Sequence, residues 1–145
     1  MSADTRSALI SAPASTVFAF MSDADKLTLW SFGTWRIERH DGGLIRGHSL
    51  MTGAPIWLRI ATWPEALTID YHLGASPDAL QPRIFARVIP GTVTGHGEGT
   101  SLLTMTGLRT ADMDDARWAG LGRAHAFEVD VIRGLIESGH DHRIA

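Results

Sequence analysis

With no cysteine in the chain, proton transfer and ion pairing fall to histidine, tyrosine, arginine and the carboxylates, and His125 has the most telling position. Trp118, Leu121, His125, Val129, Ile132 and Ile136 share one face of a helix at about 100° per residue. Burial among apolar neighbours lowers a histidine's pKa and keeps it neutral, able to donate and to accept one hydrogen bond. His125 is then either an acid/base facing a ligand or a core histidine satisfied by a backbone carbonyl. Tyr71 belongs to the inward row Leu67, Ile69, Tyr71 and Leu73, and its hydroxyl needs a partner whether it lines a pocket or fills the core. Arg46 and His48 alternate with Leu44 and Leu50, so they face inward if those leucines are core. Arg46 would then meet an acidic group, the alternative being an edge arginine with its head in water. Trp35 and Trp118 could stack on a ring or simply fill the interior. The expected ligand-binding set is Trp35, Arg46, His48, Tyr71, Trp118, Leu121 and His125, with His125, Tyr71 and His48 as the catalytic candidates.

Other chemistries lack their residues. Gly95-His96-Gly97-Glu98-Gly99 has neither the lysine of a phosphate-binding loop nor the following helix of a dinucleotide fingerprint, so it reads as a turn. His140 and His142 have no third ligand at helical spacing. No Gly-x-Ser-x-Gly or His-Glu-x-x-His motif occurs. No metal and no cofactor is expected. Disulfides and thiolate chemistry are excluded outright.

The chain of 145 residues fits one domain able to bury a core without staples. Its net charge of −3, from 13 basic and 16 acidic residues, offers no basic surface for nucleic acid. Nothing approaches the roughly eighteen consecutive apolar residues of a membrane span. The start Met1-Ser2-Ala3-Asp4-Thr5-Arg6 lacks the basic-then-apolar order of a secretory signal. A cytoplasmic protein is expected, as a monomer or a homodimer.

These side chains must be positioned by a strand near 4–11, a helix from Pro13, a second short helix capped by Ser22 or Asp23, and a long run of period two. Strand-like stretches at 32–40, 43–51, 55–63, 66–73, 82–89 and 100–108 are separated by turn residues, spacing that favours an antiparallel meander. Arg59 and Arg87 fall on the wet face, and Trp57 and Trp63 share the Arg59 face. The loops Gly74 to Pro82 and Pro90 to Gly99 are long for hairpins, ordinary surface loops or gates. A helix from about Asp112 to Ser138, capped by Thr110 or Asp112 and ended by Gly139, closes the domain. It carries a second stripe, Ala116, Gly120, Ala124, Phe127, Val131 and Leu135, which suggests that the helix also walls a cavity. Gly120, Gly122 and Gly134 each cost about 1 kcal/mol against alanine, so close packing or room for a ligand should offset them. Residues 1–139 form the expected domain, and 140–145 a frayed tail.

Ile10-Ser11-Ala12-Pro13-Ala14-Ser15-Thr16-Val17-Phe18, Asp25-Lys26-Leu27-Thr28-Leu29-Trp30, Ala61-Thr62-Trp63-Pro64-Glu65-Ala66-Leu67, Gly99-Thr100-Ser101-Leu102-Leu103 and the terminal helix resemble the START-like, birch-pollen-allergen-like (SRPBCC) superfamily, in its polyketide cyclase/dehydrase branch. The resemblance implies an α+β helix-grip fold. A seven-stranded curved antiparallel sheet wraps a long C-terminal helix, with two short helices between strands 1 and 2 and an apolar cavity beneath. Three functions follow as expectations: binding of a hydrophobic or aromatic small molecule, a cofactor-independent cyclase/dehydratase, or a protein-interaction module using Trp57 and Trp63.

Overall fold

The computed structural model describes residues 2–144. Seven antiparallel strands, β1 (Ala3–Ile10), β2 (Arg36–Arg39), β3 (Leu44–His48), β4 (Pro55–Trp63), β5 (Thr68–Gly74), β6 (Gln81–Pro90) and β7 (Ser101–Leu108), form one sheet in the order β1-β7-β6-β5-β4-β3-β2. Strands β2 to β7 pair with their chain neighbours, as short loops dictate, and β1 closes on β7. Helices α1 (Ala14–Ser22) and α2 (Leu27–Trp30) lie between β1 and β2, and α3 (Asp115–Ser138) crosses the concave face. This is the expected α+β helix-grip arrangement.

Period two decides which side chains reach that face. Ile69, Tyr71 and Leu73 of β5 and Leu103 and Met105 of β7 are buried, as are Ala8 and Ile10 of β1. They meet Val129, Ile132 and Leu135 of α3 and Val17 and Met21 of α1. Arg59 and Arg87 are exposed, as their alternation predicts.

Helix α3 is capped later than expected, two residues after Asp112 and four after Thr110. Asp114 takes the N-cap, its carboxylate accepting the Arg117 amide at 2.7 Å. Thr110 and Asp112 instead hydrogen-bond each other and Asp112 pairs with Arg117, which occupies both candidates. Gly139 ends the helix at φ 68°, a left-handed position suited to glycine. Beyond it, Arg143 donates to the Asp25 carbonyl at 2.7 Å and to Thr28 Oγ1 at 2.8 Å.

Candidate functional site

Between α3 and the sheet lies a cavity of about 70 Å³. Its walls are mostly apolar: Leu27 and Trp30 of α2, Leu58 of β4, Tyr71 and Leu73 of β5, Ile84 of β6, Met105 of β7, and Trp118 and Leu121 of α3. Six polar or charged residues break that lining, namely Asp4, Ser31, Thr34, Arg83, His125 and Glu128.

Asp4 and His125 form a pair. On β1, alternation from Ile10 and Ala8 carries Arg6 and Asp4 onto one row, and the Arg6 guanidinium grips the Asp4 carboxylate at 2.9 and 3.1 Å. Asp4 pairs across the sheet with Gly107, over which the His125 ring lies, and Asp4 Oδ1 stands 3.0 Å from His125 Nδ1. Gly122, one turn before His125, faces the same carboxylate: a β-carbon there would sit 3.4 Å from Asp4 Oδ2. Arg6, more than His125, holds the Asp4 carboxyl below its ordinary range. Burial lowers the pKa of His125, which Asp4 only partly opposes, so the ring is neutral at neutral pH. A neutral ring that donates through Nδ1 to Asp4 presents an accepting lone pair at Nε2. Nε2 is buried without a partner among the described residues.

Glu128 stands at i+3 from His125, on the same side of α3. Its carboxyl is almost enclosed by protein, and burial pushes its pKa up to about 8, against one opposing hydrogen bond from the Phe32 amide at 3.2 Å. The group is therefore a protonated acid at neutral pH. Tyr71 is near Glu128 and meets Trp30 edge-on at 6.1 Å. Its hydroxyl donates to the Met21 carbonyl at 2.5 Å, and burial raises its pKa strongly. Tyr71 thus ties β5 to α1, and its proton is committed to that bond.

Arg83 reaches the cavity through an irregularity in the sheet. Tyr71 pairs with Ile84 and His72 with Pro82, so Arg83 is the extra residue of a bulge between β5 and β6. In a regular strand Arg83 and Ile84 would face opposite ways, whereas here both line the cavity. Burial lowers the Arg83 pKa, and its Nε has no hydrogen-bond partner among the described residues.

Of the seven residues expected from the sequence, Tyr71, Trp118, Leu121 and His125 line this cavity, while Trp35, Arg46 and His48 do not. The phase of β3 is the reverse of the expected one. Ile45 and Gly47 are buried, and Gly47 packs so closely on Thr34 that a β-carbon would fall 2.5 Å from Thr34 Cγ2. Arg46 consequently turns outward, 3.8 Å from Glu38 and over the Trp57 ring. His48 shares that face and lies outside the cavity lining. Trp35 is 39% exposed beneath the Arg36 guanidinium. Trp57 is half-buried under His40 and Arg46, whereas Trp63 is exposed, so the two do not form an exposed pair.

Of the second stripe of α3, Phe127 and Val131 border an open groove instead of the cavity, and Leu135 joins the core. Phe127, 58% exposed, stacks on Phe32 at 5.8 Å, and Val131, Trp35 and Leu50 flank the pair. Sequence reasoning missed Asp4, Trp30, Thr34, Arg83 and Glu128. For Glu128 a signal existed, its i+3 spacing from His125, but a glutamate on a long helix ordinarily reads as solvated.

No protein-family model matches the sequence, and no curated protein matches it. Solved structures do. The Aha1 dimer from Colwellia psychrerythraea superposes with a TM-score of 0.70 at 16% identity, covering 97% of this chain and 100% of that one. A START superfamily protein from Mycobacterium smegmatis gives 0.66 at 14%, covering 97% and 100%. The Zhui aromatase/cyclase from Streptomyces sp. R1128 gives 0.64 at 16%, covering 99% and 98%. Identities this low establish shared architecture, and the chain has the START-like helix-grip fold. No helix among the described residues is long and apolar enough to cross a membrane.

Proposed function

We propose that the protein binds an apolar or aromatic small molecule between α3 and the sheet. The observation that carries this reading is a convergence: of the five side-chain atoms buried without partners among the described residues, four, Trp30 Nε1, Thr34 Oγ1, Arg83 Nε and His125 Nε2, belong to residues lining one apolar cavity, and only His48 Nδ1 lies outside it. Cores built for stability satisfy such atoms, whereas small-molecule sites set a few polar groups in an apolar wall to orient a guest. A cavity of 70 Å³ is tight. About 150 Å³ suffices for benzene in an engineered protein core, so a ring enters here only as Trp118 and Leu121, both half-buried, swing outward. Titration with aromatic polyketides, flavonoids, sterols and fatty acids, followed by tryptophan fluorescence and thermal shift, should give saturable binding to at least one class. Silence across the panel would end this reading.

A second reading, a cofactor-independent enzyme of the cyclase/dehydratase kind, is favoured by the His125 and Glu128 pair. His125 Nε2 would take a proton from a carbon beside a carbonyl, and Glu128 would protonate the hydroxyl that leaves as water from the adjacent carbon, forming the carbon–carbon double bond. Tyr71 and His48, the other sequence candidates, have no part in that scheme. Its test is a His125→Ala variant that still binds the ligand but loses turnover. Equal rates in variant and parent would remove His125 from the chemistry.

A further inference from the structure

We propose that the ligand of this cavity carries a carboxylate, and that Arg83 is the residue that holds it. The proposal rests on the small-molecule reading above and narrows it to apolar or aromatic acids.

The charges around the cavity leave one of them uncompensated. Asp4 is engaged by Arg6 at 2.9 and 3.1 Å and by His125 at 3.0 Å. Asp112, the acid whose charge acts on Arg83, is taken by Arg117 at 3.0 Å and by Thr110. Glu128 keeps its proton up to about pH 8. The Arg83 guanidinium makes no ion pair with any carboxylate among the described residues. Arginine cannot shed its charge to suit its surroundings, so its half-buried head asks for an anion.

The fold also goes out of its way to place this side chain. The bulge at Arg83, next to a proline that has no amide hydrogen to give the ladder, turns inward a residue that strand alternation would have sent to solvent. Bulges recur where a side chain is re-aimed toward a site. Two other unpartnered groups of the lining agree with an acceptor-rich end of the guest: the Trp30 indole can only donate, and the Thr34 hydroxyl is able to, whereas the accepting His125 Nε2 calls for a donor elsewhere on the guest. Planar carboxylate against planar guanidinium is the pairing that gives both strength and orientation.

The test compares matched probes differing only at that group: naphthoate against methyl naphthoate, and a medium-chain fatty acid against its methyl ester. Both pairs are titrated by tryptophan fluorescence at neutral pH. The acid of at least one pair should bind about tenfold or more tightly than its ester, as expected where a built polar contact is lost. Arg83→Gln should abolish that preference while leaving ester affinity unchanged, and Arg83→Lys, which keeps the charge without the fork, should retain part of it. If acid and ester bind the parent protein alike, the anion site is wrong while small-molecule binding stands. If the preference exists but survives Arg83→Gln in a protein with parental melting behaviour, the carboxylate is held elsewhere and the assignment fails. Binding of neither member of either pair, beside binding of neutral ligands from the wider panel, would refute the acid class alone. Silence of all of them removes both readings.

Discussion

His125 Nδ1 and Asp4 Oδ1 lie 3.0 Å apart although 121 residues separate them in the chain, with Gly107 under the ring and Gly122 beside the carboxylate. The contact joins the first strand to the last helix and selects the tautomer that leaves Nε2 as an acceptor toward the cavity.

Removing the carboxylate should lower the His125 pKa further. Burial is the larger influence on the ring and depresses its pKa, while the hydrogen bond and charge of Asp4 raise it. Asp4→Ala deletes only the raising influences. An NMR titration of the imidazole should find its midpoint at lower pH in the variant than in the parent. An upward move would mean that Asp4 does not pair with His125 in solution.

Glu128 should make the fold less stable as pH rises from about 4.5 to about 8. Folding raises this carboxyl from 4.5 to about 8, so across that interval the folded chain keeps a proton that the unfolded chain has released. Each pH unit there costs the fold up to about 1.4 kcal/mol, and above the upper limit the loss is complete. Glu128→Gln, which keeps the Phe32 amide bond without ionising, should flatten this part of the stability curve in denaturant titrations. An unchanged slope would show that Glu128 is ionised in the folded protein.

Tyr71→Phe should weaken the fold and leave ligand affinity nearly intact. The lost hydroxyl strands the Met21 carbonyl in a buried setting, at a cost of about 1–3 kcal/mol. Thermal melting reads the first effect and fluorescence titration the second. A large loss of affinity at parental stability would place the hydroxyl against the guest.

Gly134→Ala should stabilise the protein by about 1 kcal/mol, visible as a rise in Tm of a few degrees. Nothing lies within 4 Å of a β-carbon built there, and the position is exposed on α3. Nothing in the structure offsets this glycine. Gly122 differs because its β-carbon would meet Asp4, so Gly122→Ala should gain less. Equal gains at both positions would show that the carboxylate yields freely.

Much of the architecture was legible in the sequence because backbone periodicity is a local property. Leu67, Ile69, Tyr71 and Leu73 alternate with Thr68, Asp70 and His72, and β5 follows that phase. The Trp118 to Ile136 stripe likewise anticipated which face of α3 packs inward. Local rules failed where two phases were both plausible, as on β3, where the leucines suggested one face and the burial of Ile45 with the packing of Gly47 against Thr34 selected the other.

From its order of residues alone, the chain determined an antiparallel meander and a long terminal helix, with His125 on the helix's inner face. Only the tertiary structure decided His125's company. Asp4 reaches it because β1 pairs with β7, Glu128 is enclosed because the Phe32 segment folds over it, and Arg83 turns inward because one extra residue interrupts the β5–β6 ladder. Each of these depends on contacts between segments distant in the chain, whereas helix and strand periods arise from neighbours along it.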